Sequence, residues 1–398
     1  MYRFSQAAQQ VESSFIRDIL TVSQQPEVIS FAGGLPDPEL FPLDQLKDSF
    51  HQAEARFGGL MYQYGETAGV PPLREYLAAQ ASTTENPVAI ENILMTTGSQ
   101  QALDIIARTF LNPGDVVLVE APSYVGALQV FNGVQANIVA LPGDDDGVDM
   151  AALAAATQKY QPKLVYLMPN FQNPTGKTYS LARRRQIQQF LQQQDSLLAV
   201  EDDPYGALRF TEEQWPTLAE LAPDKVLRLC SFSKTVAPSF RLGWVQGPAP
   251  VLSQLAKFKQ VADLHSSCIL QYQLLCFLQS GYLAQQVAKV RQVYGKRCQL
   301  MVDAVQTQLS AWVNLVPPKG GMFIWCEQGL VDSMRLFKEC VQHRVAFVPG
   351  QAFYPQLDET ELDRATPQRG MRLNFSHTSE ANIAEGVHRI AKVLQSFG

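Results

Sequence analysis

Four polar side chains follow an apolar run in the segment Ser231–Trp244, which reads SFSKTVAPSFRLGW. Ser231 and Ser233 offer hydroxyl groups, and Arg241 offers a planar guanidinium; all three could hold a phosphate. Lys234 lies among them, and a lysine near other cations has a lowered pKa, which makes its amine a nucleophile able to form a Schiff base. The segment therefore indicates covalent chemistry on a carbonyl group, although a surface lysine after a strand would fit the same letters.

Polar side chains also follow two other apolar runs. Asn173 comes shortly after a run that ends at Met168, and Asp202 and Tyr205 come at the end of the run that begins at Leu197. Open α/β sheets bind ligands beyond the carboxyl ends of their strands. A carboxylate as close to the sheet as Asp202 is costly unless a cation neutralises it. We therefore expect a ligand with a positive charge next to Asp202.

A third candidate site is the start of a helix. Apolar residues recur at helical spacing from Ala102 to Phe110, and Ser99 and Gln100 come just before them. The free N–H groups of a helix N-terminus carry a partial positive charge and bind phosphate. A serine that simply caps the helix would give the same sequence.

One ligand fits all four segments. It has a phosphate, a carbonyl for Lys234, a ring-nitrogen cation for Asp202, and a ring oxygen for Asn173 and Tyr205. That ligand is pyridoxal 5′-phosphate (PLP), whose protein signature is a Schiff-base lysine together with an aspartate that pairs with the pyridinium nitrogen.

Strands that alternate with helices are needed to bring these side chains together. Helical patterns at 102–111 and 182–194 lie between apolar runs in the middle of the chain. The candidate strands are Val116–Glu120, Ala136–Leu141, Leu164–Pro169, Leu197–Asp202, Val226–Cys230 and Leu242–Gly247. Helices between continuous apolar strands imply βαβ units. We therefore predict an α/β fold in which residues 45–285 form a large PLP-binding domain, with a mainly parallel central sheet flanked by helices.

The C-terminal part of the chain, 286–398, has a different layout. A long helical pattern, VAKVRQVYGKRCQLMVDAVQTQL, is followed by the strand-like segments GGMFIWCE and MRLNFSH, with helical patterns between them. This order predicts a smaller α+β domain. Residues 1–44, which include the strand-like VISFAGGLP, are expected to form an arm that packs with this smaller domain or reaches a partner chain.

Composition argues against several other classes of protein. The chain has 398 residues, of which 46% are hydrophobic, as in an ordinary globular enzyme, and its net charge of −6 argues against nucleic-acid binding. No apolar run reaches the roughly 18–20 residues of a membrane span, and the N-terminus does not read as a signal peptide. The six cysteines form no C-x-x-C pair and the five histidines do not cluster. We expect reduced thiols, no metal site and a cytoplasmic location.

The order of the motifs resembles that of a known family. GSQQ, PSY, NPTG, DDPY, SFSK followed by PSFRLGW, and finally MRLNFS occur in this order. The chain thereby resembles the class I/II aminotransferases of PLP fold type I over nearly its whole length. ISFAGGLPDPELFP and YQYGETAGVPPLREYL resemble the branch of 2-aminoadipate and kynurenine aminotransferases in particular.

The resemblance implies a role for each matching residue. Lys234 is expected to form the Schiff base with PLP and to act as general acid and base, while Asp202 pairs with the pyridinium nitrogen. The implied contacts are Asn173 and Tyr205 with the ring oxygen, Tyr124 with the ring face, Ser99, Gln100, Ser231, Ser233 and Arg241 with the phosphate, and Arg372, Asn173, Gly33 and Gly34 with the substrate.

The resemblance also implies the reaction and the assembly. An aminotransferase moves the amino group of an L-amino acid to a 2-oxo acid by a ping-pong mechanism, and glutamate with 2-oxoglutarate is the pair that the family suggests. Tyr64 is expected to come from the neighbouring subunit of a homodimer, to reach the phosphate and the substrate, and to belong to the catalytic residues together with Lys234 and Asp202. Arg17 matches a position that reaches the substrate side chain, and we hypothesise that it contacts acidic side chains; a solvent-facing helical arginine is the alternative.

Two other functions remain open on the sequence alone. PLP-dependent carbon–sulfur β-lyases share the fold and most of these residues, but they release ammonia and leave no pyridoxamine form. Some transcription regulators join a domain of this type to a DNA-binding helix-turn-helix. The acidic net charge and the early start of the aminotransferase pattern argue against the regulator.

Overall fold

The computed structural model describes residues 2–5, 8, 19, 25, 27–355 and 369–397. The strands within this part of the chain are β1 (Ile29–Ser30), β2 (Ile93–Thr96), β3 (Val116–Glu120), β4 (Asn137–Leu141), β5 (Gly143–Asp144), β6 (Gly147–Val148), β7 (Leu164–Leu167), β8 (Leu198–Asp202), β9 (Val226–Ser231), β10 (Gly243–Gln246), β11 (Val313–Leu315), β12 (Phe323–Gln328), β13 (Val345–Ala346), β14 (Val348–Pro349) and β15 (Gly370–Asn374).

The α-helices of the same residues are α1 (Leu43–Phe57), α2 (Pro71–Ala81), α3 (Ser99–Phe110), α4 (Val125–Gly133), α5 (Met150–Tyr160), α6 (Leu181–Gln192), α7 (Leu218–Leu221), α8 (Ala249–Asp263), α9 (Cys268–Gln279), α10 (Tyr282–Gln308), α11 (Ser333–Gln342) and α12 (Glu380–Gln395). Short 3₁₀ helices connect several of these elements. None of the described helices has both the length and the apolar composition that a membrane span requires.

A seven-stranded sheet forms the centre of the molecule, in the order β2-β10-β9-β8-β7-β3-β4. Strand β10 runs antiparallel to both of its neighbours, and the pairs from β9 to β4 are parallel. Strands β7 and β8 are buried along almost their whole length, as expected for strands covered by helices on both faces. The predicted mainly parallel sheet flanked by helices is confirmed.

A second sheet of four antiparallel strands, in the order β11-β12-β15-β14, lies in the C-terminal part. Strand β1 pairs in parallel with β13, so this segment of the N-terminal arm packs with the C-terminal part of the chain. Six of the twelve predicted strand ends agree with the structure, and the other six differ by one or two residues. Strand β2 was not predicted by the sequence analysis. The division of the chain at residues 44 and 285 stays a prediction.

Candidate active site

A cavity of about 430 Å³ opens at the carboxyl ends of β7, β8 and β9, where an open α/β sheet places its ligand. The N-terminus of α3 and strand β15 of the second sheet contribute to its walls. The predicted residues that line it are Gly34, Ser99, Gln100, Tyr124, Asn173, Asp202, Tyr205, Ser231, Ser233, Lys234, Arg241 and Arg372. The fold thus brings together residues that are up to 338 positions apart in the sequence, from Gly34 to Arg372.

The Lys234 side chain points across the cavity. Its Nζ donates a hydrogen bond to the carbonyl oxygen of Gly34 at 2.8 Å. Burial lowers the pKa of Lys234 to about 8, and the positive charges of Arg372 and Arg241 act in the same direction. A lysine with such a pKa is largely neutral in mildly alkaline solution, and a neutral amine is the form that attacks a carbonyl.

Asp202, at the end of β8, is buried and has one free acceptor. Its Oδ2 accepts a hydrogen bond from the hydroxyl of Tyr166 at 2.7 Å, whereas Oδ1 has no hydrogen-bond partner among the described residues. Burial, with a smaller contribution from the charge of Asp203, raises the pKa of Asp202 to about 7, although the hydrogen bond from Tyr166 acts in the opposite direction. An unpaired, buried carboxylate oxygen is costly, so a cationic N–H group at Oδ1 fits this cavity.

The opposite end of the cavity is built to receive an anion. Helix α3 begins at Ser99, directly after Gly98, whose φ of 81° lies in the left-handed region that favours glycine. Arg241 Nη2 donates to the carbonyl oxygen of Thr97 at 3.3 Å, and Ser231 Oγ accepts from the N–H of Ser233 at 3.2 Å. A helix N-terminus, serine hydroxyls and a guanidinium together match the donors that phosphate requires.

Two phenols and an amide lie between these ends. The Tyr124 hydroxyl donates to Gln100 Oε1 at 3.4 Å, and burial raises the pKa of Tyr124 to about 12. Burial also raises the pKa of Tyr205, whose hydroxyl interacts with the Asn173 side chain. Both phenols therefore stay protonated at neutral pH and can donate hydrogen bonds to an oxygen or cover a ring.

Arg372, on β15, is a buried cation that has no acidic partner among the described residues. Its Nη1 donates to Asn173 Oδ1 at 2.8 Å and its Nη2 to the carbonyl oxygen of Ala32 at 2.7 Å. The guanidinium lies 4.3 Å from the ring centroid of Phe323 and 5.1 Å from that of Phe353. Burial lowers the pKa of Arg372 to about 10, so it remains positively charged at neutral pH and can receive a carboxylate.

Two of the predicted site residues do not line this cavity. Gly33 precedes Gly34 in the chain and is not part of the cavity lining. Tyr64 is 80% exposed, and its ring packs edge-on against His265 with centroids 5.8 Å apart. A single chain therefore does not bring Tyr64 into its own cavity. Arg17 lies outside the described residues.

Sequence reasoning missed several residues that the structure brings to the site. Phe323 and Met168 line the cavity, and Tyr166 contacts Asp202 from inside the sheet. Each of them lies in or next to an apolar run, where it reads as core. The one available signal was the hydroxyl of Tyr166 within the otherwise apolar run LVYLM.

This topology, with such a cavity at the strand ends, is that of the PLP enzymes of fold type I, and the donors present fit the cofactor. The family described as "Aminotransferase class I and II" matches residues 27–390, and the chain belongs to that family. The resemblance that the motifs indicated is thereby confirmed.

Individual relatives agree with this family. The chain is 36% identical to the 2-aminoadipate transaminase of Thermus thermophilus, over 99% of this chain and 97% of the relative, and 35% identical to aromatic-amino-acid aminotransferase 1 of Thermococcus litoralis, over 98% and 94%. The crystal structure of alpha-aminoadipate aminotransferase from Thermus thermophilus, complexed with N-(5′-phosphopyridoxyl)-L-leucine, superposes with a TM-score of 0.88 at 35% identity, covering 99% of this chain and 97% of that one.

The chain is therefore a PLP-dependent aminotransferase, which transfers the amino group of an amino acid to a 2-oxo acid. The family and its relatives favour transamination over the β-lyase reaction that the sequence alone had left open.

Proposed function

We propose that Lys234, Asp202 and Arg372 carry out the transamination in this cavity. The observation that carries the proposal is the buried Oδ1 of Asp202, which lacks a partner among the described residues and lines the same cavity as the Lys234 amine. A carboxylate in this state stabilises a protonated ring nitrogen, and the nearby amine serves as nucleophile.

Each of these side chains has a distinct task. PLP supplies a ring that accepts the electron pair of the substrate's α C–H bond. Asp202 Oδ1 holds the proton of the ring nitrogen, and Lys234 Nζ takes the proton from the α carbon and returns it to the cofactor. Arg372 binds the α-carboxylate through its two terminal nitrogens and so orients the α C–H bond.

The remaining cavity residues bind and orient the cofactor. In this proposal Asn173 and Tyr205 contact the ring oxygen, and Tyr124 covers the ring. The phosphate is held by Ser99, Gln100, Ser231, Ser233 and Arg241. Gly33 and Gly34 lie beside the substrate, where a side chain has little room: a Cβ at Gly34 would lie 3.2 Å from Phe323 Cζ.

The substrates belong to the classes named for the relatives. The 2-aminoadipate transaminase and the aromatic-amino-acid aminotransferase support acidic and aromatic amino acids as donors, with glutamate and 2-oxoglutarate as one pair. We assign the selectivity for acidic side chains to Arg17, whose charge complements a distal carboxylate.

The enzyme works as a homodimer in the cytoplasm. Exposed apolar side chains on neighbouring segments, Leu60, Tyr62 and Tyr64 with Val261 and Leu264, support a subunit interface that carries Tyr64 to the partner's phosphate and substrate. The six free, buried cysteines support a reducing compartment. The large domain comprises residues 45–285, and the smaller one comprises 286–398 together with the arm 1–44.

A half-reaction panel tests both the reaction and the substrates. The PLP form is mixed with single amino acids, including glutamate, 2-aminoadipate, kynurenine, leucine and alanine, without a 2-oxo acid. Conversion to the pyridoxamine phosphate form, fastest with acidic and aromatic amino acids, supports the proposal. Release of ammonia with retention of the PLP spectrum contradicts it. The Arg17→Ala variant should lose rate with acidic substrates only; an equal loss with aromatic ones removes its selective role.

A further inference from the structure

Among the described residues, Tyr166 is the side chain that donates a hydrogen bond to the Asp202 carboxylate. It lies in the middle of β7, is completely buried, and pairs with Val200 of β8 across the parallel sheet. Its hydroxyl donates to Asp202 Oδ2 at 2.7 Å. Tyr166 is not part of the cavity lining, and its hydroxyl contacts the cavity residue Asp202.

We propose that Tyr166 is a positioning residue that turns Oδ1 of Asp202 toward the cofactor and sets how strongly the carboxylate attracts the proton of the ring nitrogen. This inference rests on the role of Asp202 proposed above and extends it to a residue that does not touch the cofactor.

The adjacent residues Asp202 and Asp203 show how the hydrogen-bond donor affects the pKa of a buried carboxyl group. Asp203 accepts from Arg228 Nη2 at 2.6 Å and from Asn170 Nδ2 at 3.0 Å, and despite its burial the cation keeps the pKa of Asp203 below its usual value. Asp202 has a neutral phenol in the corresponding place. A neutral donor stabilises the carboxylate less than a cation does, so Asp202 remains a strong hydrogen-bond acceptor for a protonated ring nitrogen, while the phenol keeps the carboxylate from taking that proton itself.

The geometry also fixes the direction of the carboxylate. The Tyr166 ring packs edge-on against Phe131, with centroids 6.0 Å apart, which restricts the position of the hydroxyl. Because Oδ2 is engaged by this hydroxyl, Oδ1 is the oxygen left for the cavity. Burial and the charge of Asp202 raise the pKa of Tyr166 well above its usual value, so the phenol remains a donor throughout the working pH range.

The test removes only the hydroxyl and reads the ring nitrogen directly. Wild-type enzyme and Tyr166→Phe are loaded with PLP that carries ¹⁵N in the ring, and the ¹⁵N chemical shift is recorded. Without the phenol the carboxylate becomes more basic and draws the proton to itself, so the resonance should move toward that of an unprotonated pyridine. We also expect kcat to fall on the order of tenfold while KM changes by less than about twofold.

Tyr179→Phe is the matched control. Tyr179 is equally buried, and its hydroxyl donates to a buried carboxylate, Glu120 Oε1, at 2.5 Å, outside the cavity. Its variant should keep the wild-type ¹⁵N shift. An unchanged shift in Tyr166→Phe, or the same displacement in both variants, overturns the inference.

Two further outcomes separate this inference from the proposed function. If the wild-type ring nitrogen is itself unprotonated, the proposed role of Asp202 fails, whatever the variants show. If Tyr166→Phe does not fold, 3-fluorotyrosine at position 166 keeps the size of the ring and donates a stronger hydrogen bond. The resonance should then move in the opposite direction, and the absence of any movement contradicts the inference.

Discussion

At the scale of single residues, the site contains ionisable groups whose pKa values are shifted toward neutral pH by burial. Burial disfavours the charged form of a group, which lowers the pKa of Lys234 and raises that of Asp202. Such opposed shifts in one cavity are typical of an acid and a base that exchange protons. Neither shift requires an unusual residue; both follow from where the strands end.

The pKa of Lys234 predicts how the apoenzyme takes up PLP. The neutral amine reacts and the ammonium does not, so the uptake rate should rise about tenfold per pH unit below pH 8 and level off above it. Stopped-flow absorbance measures this rate. A rate that keeps rising to pH 10 would show a lysine with an ordinary pKa and would contradict the assignment.

Arg372 should determine the affinity for substrate but not for the cofactor. Arg372→Lys keeps the charge and loses the planar fork, so kcat/KM for amino acids should fall by about 100-fold or more while the Kd for PLP stays within about twofold. Steady-state kinetics and PLP titration measure the two quantities. Arg389→Lys, in an exposed pair with Glu385, is the control. Equal losses of substrate and cofactor affinity would argue for a general structural role of Arg372.

The sequence predicted those site residues that have a reactive or polar side chain directly after an apolar run. Lys234, Asp202 and Asn173 follow apolar runs, and the resemblance supplied Arg372. Tyr166 and Phe323 were not predictable, because a side chain within an apolar run reads as core until neighbouring strands are placed. Tyr64 lies outside the cavity of its own chain, so its role needs a second chain.

At the scale of elements, the turn between β2 and α3 shapes the part of the cavity that Ser99 and Arg241 line, where we propose that the phosphate binds. A buried lysine on α8 supports this turn: Lys259 Nζ donates to Asp263 Oδ1 at 2.8 Å and to Ser266 Oγ at 3.0 Å, and Asp263 Oδ2 in turn accepts from Thr97 Oγ1 at 2.8 Å. The hydrogen bonds hold Thr97, and with it the start of α3, against α8.

Gly98 in this turn should tolerate no side chain without loss of cofactor affinity. Its φ is 81°, and an added Cβ would lie 2.7 Å from Arg241 Nη2. Gly98→Ala should therefore displace the guanidinium and weaken PLP binding about tenfold or more. Gly114→Ala is the matched control, since Gly114 has a φ of 87° with open space around it. The PLP affinities of the two apoenzyme variants are compared by titration. Equal affinities would contradict the predicted clash with Arg241, because both substitutions introduce similar backbone strain.

The central strands were predicted from their continuous apolar runs, but the edge strand β2 was not. The buried strands β3, β7, β8 and β9 were predicted within one or two residues, because continuous apolar runs between helices have few other interpretations. Strand β2, with the short sequence ILMT, was not predicted, since it becomes a strand by pairing with the antiparallel β10. That pairing depends on tertiary structure.

At the scale of the whole molecule, the cavity is lined by residues that belong to or follow strands of both sheets and by Gly34 of the N-terminal arm. Lys234 follows β9 of the large sheet, whereas Arg372 belongs to β15 of the smaller one. The arm contacts both sides of the cavity: the carbonyl oxygen of Ala32 accepts a hydrogen bond from Arg372 Nη2, and that of Gly34 accepts one from Lys234 Nζ. A substrate bound by Arg372, as proposed, would therefore lie next to the arm.

Sharing of sites between two subunits predicts recovery of activity in mixed dimers. Lys234→Ala and Tyr64→Ala homodimers should each be impaired, because every site lacks one residue. Hybrids have one site with both residues intact, so an equal mixture should recover about a quarter of the wild-type activity at limiting PLP. Assays before and after unfolding and refolding the mixture measure this. The absence of recovery would contradict a role of Tyr64 in the partner's site.

The most direct test of the central claim is a single turnover of Lys234→Ala. The variant, loaded with PLP, is mixed with glutamate, and formation of pyridoxamine phosphate is followed by absorbance beside the wild type. We predict that the variant still binds PLP, because the phosphate and ring contacts remain, but converts it about 10³-fold more slowly or not at all. Conversion at the wild-type rate would show that another residue moves the proton and would refute the assignment of this cavity.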